Sequence, residues 1–97
     1  MRVSVLDAWR SWYEGNAGEV LLPGEEGELC VLDFHHPFLC RLREGIVQVV
    51  TKGPRERAGG RRASRVEAAV PIREGIARMT GNELVVLVET TTAVHSP

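Results

Sequence analysis

Apolar and polar residues alternate along this chain far more often than they recur at helical spacing. Arg2-Val3-Ser4-Val5-Leu6 places Val3 and Val5 on one face of an extended segment, as a half-buried strand requires. Glu19-Val20-Leu21-Leu22 is a short apolar run that stops at Pro23-Gly24, a strong turn signal. Glu28-Leu29-Cys30-Val31-Leu32 reads as the next strand, with Glu25-Glu26-Gly27 closing the hairpin between the two. Pro37 interrupts the chain beyond that strand, which makes Phe38-Leu39-Cys40-Arg41-Leu42 a short, edge-like strand. Gly45 opens Ile46-Val47-Gln48-Val49-Val50-Thr51, rich in β-branched residues, and Gly53-Pro54 is expected to break it. The pattern resumes from Arg65 to Ile72 and again from Gly75 to Met79, and Thr80-Gly81-Asn82 predicts a hairpin turn. Leu84 to Val88 is the most hydrophobic run and is expected at the centre of a sheet. Asp7 to Glu14, with Trp9, Trp12 and Tyr13, reads as a connection whose aromatics cap one end of the core.

Short strands about 8 to 12 residues apart, separated by Gly and Pro turns, predict an all-β sandwich or barrel. Ninety-seven residues make a single domain, with a core large enough to need no staples. Two cysteines are too few for a secreted disulfide framework, and the apolar neighbours of Cys30 and Cys40 predict two small buried thiols. Met-Arg-Val-Ser-Val-Leu lacks the apolar centre of a signal peptide, and no apolar run reaches the roughly 20 residues of a membrane helix. A soluble cytoplasmic protein is expected, with no direct membrane insertion.

The net charge of −1 argues against nucleic acid as a partner, but the charge is unevenly spread. Lys52, Arg55, Arg57, Arg61, Arg62 and Arg65 stand against Glu56 alone, giving this segment +5 and leaving −6 elsewhere. The basic loop 53–65 holds no aromatic residue on which bases could stack, and its plainest reading is an exposed hairpin loop.

The candidate chemistry is sparse. His35 and His36 adjoin on an extended chain and point to opposite sides, so they do not readily share one ion, and neither His95 nor the cysteines complete a zinc spacing. Cys30 or Cys40 paired with His35 would need an activated thiolate, whereas Leu29, Val31, Leu39 and Leu42 make an apolar setting that raises a thiol pKa. No metal, cofactor or catalytic residue is expected. Glu25, Glu26 and Glu28 fit either a solvated turn or a negative loop that meets a basic partner.

An ordered series of residues narrows the reading. Tyr13-Glu14-Gly15, Val20-x-Leu22-Pro23-Gly24-Glu25-x-Gly27-Glu28-Leu29 and Val31-Leu32-x-x-His35-x-Pro37-x-Leu39 together resemble the epsilon subunit of F-type ATP synthases. The likeness continues through Leu42-Arg43-x-Gly45-x-Val47 and returns in Gly75-Ile76 and Asn82-x-Leu84-Val85-Val86-Leu87. The resemblance implies a two-sheet β-sandwich of about ten strands over residues 1–90, followed by a tail at 91–97. It implies a non-catalytic rotor part at the cytoplasmic face of a bacterial inner membrane. That part would couple rotation of the c-ring to the gamma subunit for ATP synthesis by ion transport.

By the same resemblance, Glu25, Glu26, Gly27 and Glu28 would face the c-ring, whose loop carries arginine in the family. His35, Pro37 and Cys40 would face gamma. The chain departs from the family at Cys30 and Asp33, where glycine and proline are usual, at Glu74, where a glycine pair begins, and in its longer, more basic loop. The sequence given ends at Pro97, before the helical hairpin with which the family inhibits hydrolysis and in some members binds ATP, so neither property is expected of these residues. The alternative is a free regulatory or adaptor domain that keeps the sandwich but not the ring contact.

Overall fold

The computed structural model describes residues 1–55 and 62–91. They form eight strands: β1 (Arg2–Leu6), β2 (Ser11–Asn16), β3 (Glu19–Gly24), β4 (Gly27–Leu32), β5 (Phe38–Leu42), β6 (Gly45–Arg55), β7 (Arg62–Thr80) and β8 (Glu83–Thr90). Two layers share β7. One runs β2-β1-β8-β7-β5, and the other joins β4, β3 and β6 to the first half of β7. All neighbours are antiparallel except β1 and β8, where Val3 lies beside Leu84 and Val5 beside Val86. A further bridge, Gly24 to Leu42, ties β3 to β5.

The period-2 pattern explains why the layers close on one another. Val3, Val5, Leu84, Val86, Ala77 and Met79 are buried on the first layer. Val20, Leu22, Val31, Val47, Val49, Val70 and Ile72 are buried on the second, and both sets belong to one core. Each fully buried aliphatic side chain contributes about 1.5–3 kcal/mol. The expected all-β sandwich is therefore present, with β8 flanked on both sides by β1 and β7.

The described residues form eight strands where the resemblance implies about ten, with β2 standing where a connection was expected and two segments read as separate joined in one strand. Residues 65–72 and 75–79 lie in the single strand β7, whose pairing with β8 shifts between Ile72 and Glu74. That bulge inserts one residue and lets the strand pass between layers. Likewise Gly53-Pro54 does not end β6: these residues fall in the register shift between Lys52 and Arg55, where a proline without an N–H is tolerated. The expected basic loop 53–65 thus contributes residues 53–55 to β6 and 62–65 to β7, while residues 56–61 lie outside the described residues. Thr90 is buried at the end of β8, and His95 and the rest of 92–97 lie outside the described residues. Trp12 and Tyr13 belong to β2 and pack partly on the core, whereas Trp9 is exposed. Among the described residues, no helix is long and apolar enough to cross a membrane.

Candidate functional site

The acidic tip is built by the β3–β4 hairpin. Gly24 pairs with Gly27, leaving Glu25 and Glu26 as the two turn residues, one step beyond the Pro23-Gly24 signal. Gly27 takes a φ of +135°, which side chains rarely tolerate, and a Cβ on Gly24 would sit 2.7 Å from the Gly27 carbonyl oxygen. The tip is pinned to the neighbouring strand: Glu25 N–H donates to the Arg41 carbonyl (3.0 Å), and Arg43 N–H to that of Pro23 (2.9 Å). Glu25, Glu26 and Glu28 are exposed, and Gly27 is half-buried. A cleft of about 500 Å³ beneath the tip is lined by Glu25, Glu26, Leu29, Cys40 and Arg41, among others.

Cys40 therefore lies with the tip. It packs against the core, and burial pushes its thiol pKa up, opposite to what a nucleophile needs. His35 and Pro37 lie beyond the other end of β5, before Phe38. The five residue steps from Pro37 to Leu42 span about 17 Å of extended chain. One short strand thus carries an acidic contact zone at one end and the histidine loop at the other.

The histidine loop is clamped. His35 N–H donates to the Leu32 carbonyl (3.1 Å), and the His35 ring meets Phe38 edge-on at 5.2 Å. His35 Nδ1 lies 3.0 Å from the His36 carbonyl oxygen, so an Nδ1–H tautomer donates there. The two imidazoles are 6.3 Å apart, and among the described residues no group of three His, Cys, Asp or Glu side chains could hold a metal. Phe34 has a φ of +62°, and its N–H donates to Asn82 Oδ1 at 2.7 Å. Asn82 and Gly81, with φ of +60° and +57°, form the β7–β8 turn that the sequence predicts. The Met1 amino group contacts Asp33, the residue before Phe34.

Several features escaped sequence reasoning. Cys30 is exposed and not buried as expected: alternation turns it outward between Leu29 and the buried Val31, and its thiol donates to Glu19 Oε2 at 3.0 Å. Leu39, Ile76 and Leu87 are also exposed, at 70%, 45% and 52%. Arg41 faces Ile76, Ile76 faces Leu87 and Leu87 lies beside Leu6, so Ile76 and Leu87 adjoin on the outer side of the first layer, whereas Leu39 lies opposite Arg78. The signal was present in Leu84–Val88, where a run apolar at every position supplies hydrophobic residues to both faces. Asp7 organises the β1–β2 connection, accepting the N–H groups of Trp9 and Arg10 and the Trp12 indole N–H, each at 2.7 Å. Desolvation works to raise its pKa, but these hydrogen bonds and the Arg10 charge outweigh it and leave the carboxyl below its ordinary value.

One sandwich thus carries an acidic tip, a clamped aromatic loop and several outward apolar side chains. The matching family description is ATP synthase, Delta/Epsilon chain, beta-sandwich domain, over residues 1–94, and the chain belongs to that family. It is 43% identical over 56 residues to the ATP synthase epsilon chain of Janthinobacterium sp. (strain Marseille), covering 58% of this chain and 40% of the relative. With the epsilon chain of Maricaulis maris (strain MCS10) it shares 33% identity over 85 residues, covering 88% of this chain and 55% of the relative. The aligned part is thus about half, or less, of those relatives' length.

Two solved structures share the fold. A chain in the cryo-EM structure of the Tetrahymena thermophila mitochondrial ATP synthase central stalk and c-ring superposes with a TM-score of 0.67 at 13% identity, covering 91% of this chain and 62% of that one. A chain of the Euglena gracilis mitochondrial ATP synthase, in a structure containing OSCP, F1 and the c-ring, gives 0.62 at 22% identity, covering 95% and 51%.

Proposed function

We propose that this chain is a non-catalytic central-stalk component of a rotary ATP synthase, coupling c-ring rotation to the gamma subunit. The observation that carries the reading is β5, a strand fixed to both layers that holds the acidic tip at one end and the His35–Pro37 loop at the other. Two partners gripped at opposite ends of one rigid strand can pass torque through the domain. Glu25, Glu26, Gly27 and Glu28 meet a basic loop of the c-ring, and His35 and Pro37 meet gamma. Cys40 supports the junction from its half-buried place beneath the tip. The names of the epsilon-chain relatives and the setting of the Tetrahymena chain support this assignment. The domain then works as a peripheral part at the cytoplasmic face of a bacterial inner membrane.

The load on such a joint is considerable. Each elementary charge crossing 100 mV releases about 2.3 kcal/mol. A close-packed core passes that on with little compliance.

The test is co-purification with gamma and the c-ring, using the wild-type chain and a triple variant with Glu25, Glu26 and Glu28 changed to Lys. The variant is expected to keep its stability within about 0.5 kcal/mol, because these side chains are exposed, while ring association falls at low salt. Unchanged ring association removes the tip assignment. A wild-type chain that recovers neither subunit removes the rotor reading.

A further inference from the structure

We propose that Phe34 is the anchoring side chain of the histidine loop, seated on assembly in an apolar pocket of the partner protein. Under the reading above, on which this inference rests, that partner is the gamma subunit. Phe34 is 80% exposed, so its ring gains little from the core of its own chain. Its backbone nevertheless sits at a φ of +62°, a conformation that is an outlier for a bulky side chain and natural for glycine or asparagine. The fold alone would be served as well, or better, by a smaller residue. A bulky aromatic held where it adds strain and buries little points to a contact outside the chain.

The surroundings hold the backbone beneath this ring in place. Asn82 Oδ1 takes the Phe34 N–H, the Leu32 carbonyl takes the His35 N–H, and the His35 ring is braced on Phe38. The loop is therefore ordered before any partner arrives, which lowers the entropy cost of association. Leu32, 49% exposed, ends β4 two residues before Phe34 and is a second exposed apolar side chain of this segment. An exposed aromatic side chain on an ordered backbone has the makings of a binding hot spot.

The test separates fold from contact by measuring both in the same variants. Phe34→Gly and Phe34→Asn relieve the backbone, so the thermal midpoint should stay unchanged or rise by up to about 4–8 °C. Binding to purified gamma should weaken at least tenfold, and Phe34→Leu should recover part of it. The inference is overturned if wild type binds gamma and Phe34→Gly binds equally well. It is also overturned if the midpoint falls in step with binding, which would make Phe34 a structural residue. Loss of a concentration-dependent self-association in Phe34→Gly, with gamma binding intact, assigns the ring to a second copy of this chain and likewise overturns it. Wild type that fails to bind gamma removes the rotor reading and this inference together, whereas failure of the variants alone to lose affinity removes only the inference.

Discussion

Asp7 shows how one side chain fixes a local structure that hydrophobic patterning did not anticipate. Its carboxylate closes the β1–β2 connection with three hydrogen bonds and starts β2 at Ser11, where an irregular link was expected. The folded pKa lies below the ordinary 3.8, so the ionised form favours the native state. This stabilisation is present at neutral pH and is lost as the pH falls below 3.8 through the folded value. Asp7→Asn should lower the thermal midpoint at pH 7 by roughly 2–8 °C. The gap to wild type should narrow below about pH 4, in melts followed by circular dichroism across pH. A gap of the same size at pH 3 would show that charge is not the cause. The two cysteines carry a related lesson: Leu29, Cys30 and Val31 are all hydrophobic by composition, yet only strand phase sends Cys30 outward while Cys40 packs inward.

Among the elements, the β7–β8 hairpin does more than reverse the chain. Gly81 and Asn82 supply the positive φ values of its turn, and the Asn82 carbonyl accepts the Arg2 N–H at 3.1 Å. The Asn82 side chain holds the Phe34 backbone, so one turn orders a loop 48 positions away in sequence. Asn82→Ala keeps the main-chain bond but loses both the tolerance of a left-handed backbone and the side-chain acceptor. The expected cost is about 1–2 kcal/mol, read from urea unfolding at unchanged slope. A change below about 0.3 kcal/mol would show that the clamp contributes little to the fold. Thr80-Gly81-Asn82 announced the turn because its chemistry is local. Its hold on Phe34 was not legible, because two distant segments must meet before the amide has anything to accept.

For the whole molecule, the decisive feature is one core shared by two layers. Leu22 is fully buried, and its truncation to Ala should destabilise the chain by about 2–5 kcal/mol, a large part of the roughly 5–15 kcal/mol typical of a domain. Chemical denaturation checks this directly, and a loss under about 1 kcal/mol would mean that the layers close over the gap. Charge reversal at the tip should leave the same measurement nearly unmoved, so stability and partner contact are separable properties here. Under the proposed rotor reading that separation suits a joint between moving parts, with stiffness in the interior and specificity in exposed residues that can change without loosening the core.

By itself the sequence determined the all-β class, the β3–β4 and β7–β8 hairpins and the inward residues of most strands. Each of these arises from period-2 alternation and turn chemistry, which act over a few neighbouring positions. The resemblance to the epsilon subunit came from an ordered series of such local features. Tertiary structure alone decided that β7 serves both layers and that Cys40 shares a cleft with the acidic tip. It also decided that Leu39, Ile76 and Leu87 face outward and that Phe34 is held against its conformational preference by Asn82. These depend on which strands pair and in what register, and pairing is set by the closing of the common core over long sequence separations rather than by any one segment.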